Sequence, residues 1–261
     1  AAVVVWWLIP PSRDTNPGKV DWIGGLLFVP GLSLVLYAVG VGEDHGWGSP
    51  EQMLPFAAGL GIGVAWFLYE RRIDAPMVDL RLLLNRPIGL SVLVIMLLGL
   101  GTMNMPQVVM VMLQQPAATG AGLGISATLA GVLSAPGSFI GVIASPLCGW
   151  FAARRGSRGA MIMATACATI AWTGLALMRD SVPVVTAWMW LNSFALGAAM
   201  AAGPNLIVEA APANRTSEAT GLAQIARKIA MATGAQGVAI LMASSMVKTG
   251  DGSFPDNSAY Q

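Results

Sequence analysis

Residues 87–115 read PIGLSVLVIMLLGLGTMNMPQVVMVMLQQ. The run contains no Asp, Glu, Lys or Arg, and it exceeds the roughly 20 residues a helix needs to cross a bilayer core. Its polar residues are patterned. Met103, Gln107, Met110 and Gln114 recur at helical spacing and form one stripe, which Asn104 flanks. An amide at membrane depth is costly unless it faces protein or water. The spacing therefore predicts a transmembrane helix with this stripe turned towards a bundle interior. Pro106 removes a backbone hydrogen bond and predicts a kink. The alternating pattern of a membrane barrel strand is missing.

Working outward, similar apolar runs cover about 22–42, 53–70, 126–152, 159–178, 183–207 and 222–247. With 87–113 they make seven crossings. Short connectors marked by Pro, Gly, Asn and Asp separate them, such as Asn16-Pro17-Gly18 and Gly48-Ser49-Pro50. The composition agrees. Of 261 residues, 55% are hydrophobic and only 10% are charged, against about 25% charged in a soluble domain. Mean hydropathy is +0.66. Disorder, which needs high charge and low hydrophobicity, is excluded. A net charge of +1 without a basic stripe argues against nucleic acid as a partner. Two Cys and one His exclude a zinc or disulfide scaffold. Cys148 and Cys167 read as small hydrophobes, and His45 falls in a connector. No nucleophile–base pair, metal cluster or phosphate loop points to an enzyme, a metal or a cofactor. The fold class is all-α, a polytopic transmembrane helix bundle.

The chain opens within an apolar run, Ala1 to Ile9, too short to span. Residues 1–9 read as the tail of a helix that begins upstream, so the chain is expected to be a fragment. Orientation follows from the basic residues, because cytoplasmic loops collect Lys and Arg. Numbering sides alternately puts 12 of the 14 on one side, leaving Arg179 and Lys248 on the other. That places residues 10–21, 71–86, 153–158 and 208–221 in the cytoplasm of a multi-pass inner (plasma) membrane protein. All the acidic residues fall in connectors or at helix ends. No carboxylate lies at mid-membrane, where a proton carrier would sit.

The order of motifs resembles the 14-helix drug:proton antiporter branch of the major facilitator superfamily. Gly18-Lys19-Val20-Asp21-Trp22-Ile23-Gly24-Gly25 opens a helix pair. Pro76-Met77-Val78-Asp79-Leu80-Arg81 with Asn85-Arg86 precedes the next helix, which ends in Leu113-Gln114-Gln115. Gly149-Trp150-Phe151-Ala152-Ala153-Arg154-Arg155-Gly156-Ser157-Arg158 is similar to the superfamily's cytoplasmic loop motif, with Ala153 where the motif has Asp. Ala219-Thr220-Gly221-Leu222 with Arg227 and Gly234 is similar to a further segment of the branch. The resemblance implies that 10–86 form a cytoplasmic connector, a two-helix linker hairpin and a basic loop. It implies that 87–247 are five helices of the C-terminal half, and that 248–261 are an extracytoplasmic loop. The N-terminal half and the last helix would lie outside the chain.

Site candidates follow. In the superfamily the helix matching 87–113 lines the central cavity, which the resemblance extends to Met103, Asn104, Gln107, Met110 and Gln114. Their amides could equally bond neighbouring helices. Trp188 and Asn192, one helical turn apart, could hold a flat lipophilic cation by stacking and cation–π attraction. Trp188 and its neighbour Trp190 also suit an interfacial belt. Gln236 could reach the cavity or bond a neighbour. Gly149, Arg154, Gly156 and Arg158 form the candidate cytoplasmic gating loop, or simply positive-inside anchors. The pairs Gly137/Gly141, Gly59/Gly63 and Gly197/Ala201 read as close helix contacts. The function implied is efflux of lipophilic or cationic drugs in exchange for protons, by alternating access. A carrier for one neutral metabolite is the alternative, and a membrane-embedded enzyme or assembly factor is a more distant one.

Overall fold

In a computed structural model of the chain, residues 21–45, 49–73, 81–116, 122–212, 215–244, 246–249 and 252–255 are described. The apolar tail 1–9, the start of the first connector and most of the basic loop before Arg81 lie outside them.

Nine helices occur among the described residues: α1 (Trp22–His45), α2 (Pro50–Glu70), α3 (Arg81–Leu84), α4 (Arg86–Gly101), α5 (Met105–Gln114), α6 (Ala127–Arg155), α7 (Ser157–Leu177), α8 (Val182–Ala210) and α9 (Thr216–Ser244). A two-stranded antiparallel hairpin, β1 (Met246–Thr249) and β2 (Gly252–Pro255), follows α9. It takes the last two residues of the run 222–247 and part of the segment 248–261 expected to be an extracytoplasmic loop, of which 256–261 lie outside the described residues. The fold is otherwise the expected all-α bundle.

The helix ends are set by local chemistry. Ser49 and Ser126 cap α2 and α6, their hydroxyls accepting from Gln52 N and Leu129 N at 3.3 Å each. Asp21 Oδ1 accepts from Gly24 N at 2.8 Å and from the Tyr69 hydroxyl at 3.2 Å. One carboxylate thus caps α1 and ties it to the far end of α2, closing an antiparallel hairpin. Within that hairpin Gly59 meets α1 backbone to backbone. A Cβ there would stand 2.8 Å from Val35 N and 2.9 Å from Gly31 O.

Among the described residues, six stretches are long and apolar enough to cross a membrane: Trp22–Gly40, α2, Arg86–Gln114 (α4 with α5), α6, α7 and α8. Helix α9 is long enough, but it carries Glu218, Arg227 and Lys228 in its first half. It packs along α4 and touches α1 and α8. Helix α8 is the central element, flanked by α6 and α7. One apolar cluster, with Ile88, Ile95, Met161 and Ile207, lies towards the α6–α7 loop. A second, with Met105, Val109, Leu113 and Val185, lies towards the opposite end. Large apolar side chains such as Leu90, Phe139, Val142 and Leu177 are exposed. That exterior suits lipid, which is as apolar as the side chains themselves.

Candidate functional site

The run 87–113 falls in one membrane-length stretch, Arg86–Gln114, interrupted by a turn. The turn Thr102–Asn104 separates α4 from α5, and Pro106 stands in the first turn of α5. Proline has no N–H to give the carbonyl four residues back, so Thr102 O loses its helical partner. Asn192 Nδ2, fully buried on α8, donates to that carbonyl at 3.0 Å. Asn104 closes the other side of the break, its Nδ2 donating to Leu100 O at 2.8 Å. The kink expected from Pro106 is therefore a three-residue turn between two helical segments, pinned from a neighbouring helix. The buried Asn192 Oδ1 and Trp172 Nε1 have no hydrogen-bond partner in the structure.

Beside the break lies a narrow crevice, partly open to the surroundings, with a cavity volume of about 30 Å³. Helices α4, α7, α8 and α9 form its walls. The apolar lining comes from Ile95, Leu98, Met161 and Leu196, among others. The polar groups are Thr102, Thr220, Gln224 and Arg227. Among the described residues, no Asp or Glu lines it. Gly99 makes the α4–α9 approach possible, since a Cβ there would lie 3.1 Å from Arg227 O.

The expected stripe is split. Met103 lies in the turn and lines the crevice. Met110 is half-buried, whereas Gln107 and Gln114 are exposed on the face of α5 opposite Val109 and Leu113. Gln107, Met110 and Gln114 share one face of α5, while Met103 stands apart in the turn. Among the described residues no helix covers Gln107 or Gln114. Asn104 is buried at the break rather than flanking a stripe. Trp188 does not reach the crevice. It lies over Gly174 of α7, and its Nε1 donates to Met178 O at 3.1 Å. Trp190 Nε1 donates to Leu133 O at 2.9 Å. Asn192 is buried at the break and absent from the crevice lining. Gln236 is half-buried, with Oε1 facing Gly40 of α1.

In the α6–α7 loop, Gly156 takes φ +82°, a conformation that favours glycine. Arg154 and Arg158 are exposed, and the Arg154 guanidinium carbon stands 4.0 Å from the Trp150 ring centroid. A Cβ on Gly149 would meet nothing within 4 Å. The sequence reading missed one group here. Ser157 Oγ donates to Glu209 Oε1 at 2.7 Å, so a carboxylate from the end of α8 reaches the first residue of α7. Anions are favoured at a helix N-terminus, and the Ala153 position has no carboxylate to offer. Arg227, which the charge split places on the cytoplasmic side, lines the crevice instead. The available signal was its place inside the apolar run 222–247.

The family model described as Major Facilitator Superfamily matches residues 1–235. The chain belongs to the Major Facilitator Superfamily. It is a multi-pass protein of the inner (plasma) membrane. Among curated superfamily relatives, it is 26% identical over 207 residues to "Multidrug resistance protein B homolog" of Mycobacterium tuberculosis, covering 77% of this chain and 37% of that protein. It is 24% identical over 229 residues to "Multidrug efflux pump LfrA" of Mycolicibacterium smegmatis, covering 87% and 44%. It is 26% identical over 195 residues to "Multidrug resistance protein 3" of Bacillus subtilis, covering 74% and 36%. The chain thus spans less than half the length of these relatives.

Proposed function

We propose that this superfamily member works as an efflux transporter for lipophilic drugs, cationic ones included, in exchange for protons. The observation that carries the reading is the crevice beside the broken α4–α5 helix. Discontinuous helices near the bilayer midplane suit substrate sites, because they free backbone groups and can move. The apolar lining fits a hydrophobic compound, and the names of the relatives support a drug. A second helical half, related to the N-terminal half implied by the resemblance, would face this bundle and complete the cavity. That half would cover the exposed Gln107 and Gln114, whose amides are costly against lipid. The proton carrier would also come from outside the crevice residues, which include no carboxylate. Alternating access would rock the two halves about the midplane.

The test is uptake of a lipophilic dye by inside-out vesicles holding the chain as its gene encodes it. Dye should accumulate with a proton gradient and leak out when a protonophore collapses it. Inserted protein that takes up no dye under either condition would overturn the reading in favour of a carrier with one narrow substrate.

A further inference from the structure

The crevice contains a charge that a purely apolar substrate leaves unanswered. Arg227 packs beside Gly99, where a Cβ would lie 3.1 Å from Arg227 O. Gly99 is thirteen residues beyond Arg86 at the start of α4, or about 20 Å along the helix, well inside a hydrocarbon core about 30 Å thick. A guanidinium at this depth is expensive and marks a functional site. The Arg227 stem is held against α4, where a Cβ on Gly99 would lie 3.4 Å from its Cγ. Its Nη1 donates to Met200 Sδ at 2.9 Å, a weak acceptor. Its Nε is buried with no hydrogen-bond partner. Among the described residues no acidic side chain lines the crevice that Arg227 enters, but Gln224 and Thr220 do.

We propose that Arg227 is the counter-ion for a carboxylate carried by an apolar substrate, so that this crevice takes hydrophobic carboxylic acids. The acid's hydrocarbon body would lie against Ile95, Leu98, Met161 and Leu196. Its carboxylate would accept from the guanidinium of Arg227, with Gln224 as a further donor. A charge-assisted bond of this kind is about twice as strong as a neutral one. The same field repels a cation from this wall of the cavity. The inference rests on the export reading above and narrows its substrate class. A carboxylate belonging to the protein itself, from beyond the described residues, would offer Arg227 the same chemistry. The test separates the two sources.

The chain as its gene encodes it is placed in nanodiscs and titrated with pyrenebutyrate, its neutral amide and ethidium. The variants are Arg227→Gln and Arg227→Lys. Pyrenebutyrate should bind more tightly than its amide. Arg227→Gln should weaken the acid roughly tenfold or more, the size expected for losing a hydrogen bond to a charged group. It should leave the amide's affinity near its original value, and Arg227→Lys should recover part of the loss. Equal losses for acid, amide and ethidium would assign Arg227 to an ion pair within the protein and overturn the proposal. Unchanged acid binding in Arg227→Gln would overturn it too. Vesicle uptake of the same probes tests the export reading separately. Acid binding that depends on Arg227 without any uptake would retain the site and sink the exporter. Ethidium export without Arg227-dependent acid binding would do the reverse.

Discussion

At the residue scale, Asn192 shows how one side chain completes a neighbour's backbone. Pro106 deprives Thr102 O of its helical donor, and Asn192 Nδ2 replaces it from α8. A buried carbonyl left without a donor costs about 1–3 kcal/mol. Asn192→Ala should therefore lower the thermal unfolding midpoint of the purified protein in detergent. Pro106→Ala restores an N–H within reach of Thr102, so Asn192→Ala should cost measurably less in that background. A coupling of about 0.5 kcal/mol or more is expected for groups sharing a partner. Strict additivity of the two substitutions would refute the pinning role. Pro106 and Asn192 were both legible as unusual residues. Their connection was not, because 86 residues separate them and periodicity reports only one helix at a time.

At the element scale, α6 and α8 meet along a seam of small residues. Ser145 Oγ donates to Gly197 O at 3.0 Å, and a Cβ on Gly137 would stand 2.9 Å from Ser193 Oγ. A Cβ on Gly197 would collide with Gly141 O and lie 3.0 Å from Ala144 Cβ. Gly197→Leu would force the helices apart, at a cost of about 1–3 kcal/mol or more for overpacking. The expected outcome is a lower unfolding midpoint and less folded protein, while Gly61→Leu, whose site is open, should behave like the parent. Equal behaviour of the two variants would argue against a seam. Small-residue spacing made Gly137, Gly141 and Gly197 readable in advance, because close helix approach has a spacing signature. The break between α4 and α5 was read only as a kink. Proline marks a weakened helix, but whether it bends or breaks depends on who satisfies the freed carbonyl.

At the scale of the whole molecule, orientation rests on charge. Of the twelve basic residues assigned to the cytoplasm, Arg227 and Lys228 lie within α9, which leaves ten against two. The asymmetry survives, and it makes a labelling prediction. In a background with Cys148 and Cys167 replaced by Ala, Ala153→Cys should react with an impermeant maleimide only in inside-out vesicles. Asp180→Cys, in the α7–α8 loop, should react only in intact cells. The opposite pattern would invert the topology. The exposed Gln107 and Gln114 also belong to this scale, since what covers them is a matter of assembly and not of helix α5 itself.

The sequence alone determined that this is a helical membrane bundle, where most of its spans run and which side is basic. Those properties come from length, hydropathy and charge, which act on each segment independently. The tertiary structure decided which polar groups share a space. It moved Met103 off its stripe, withdrew Trp188 and Asn192 from the crevice lining, joined Glu209 to Ser157 and brought Arg227 into a crevice without acids. Such neighbours come from helices that α8 and Gly99 hold together. Packing across sequence distance leaves no periodic trace in any one segment.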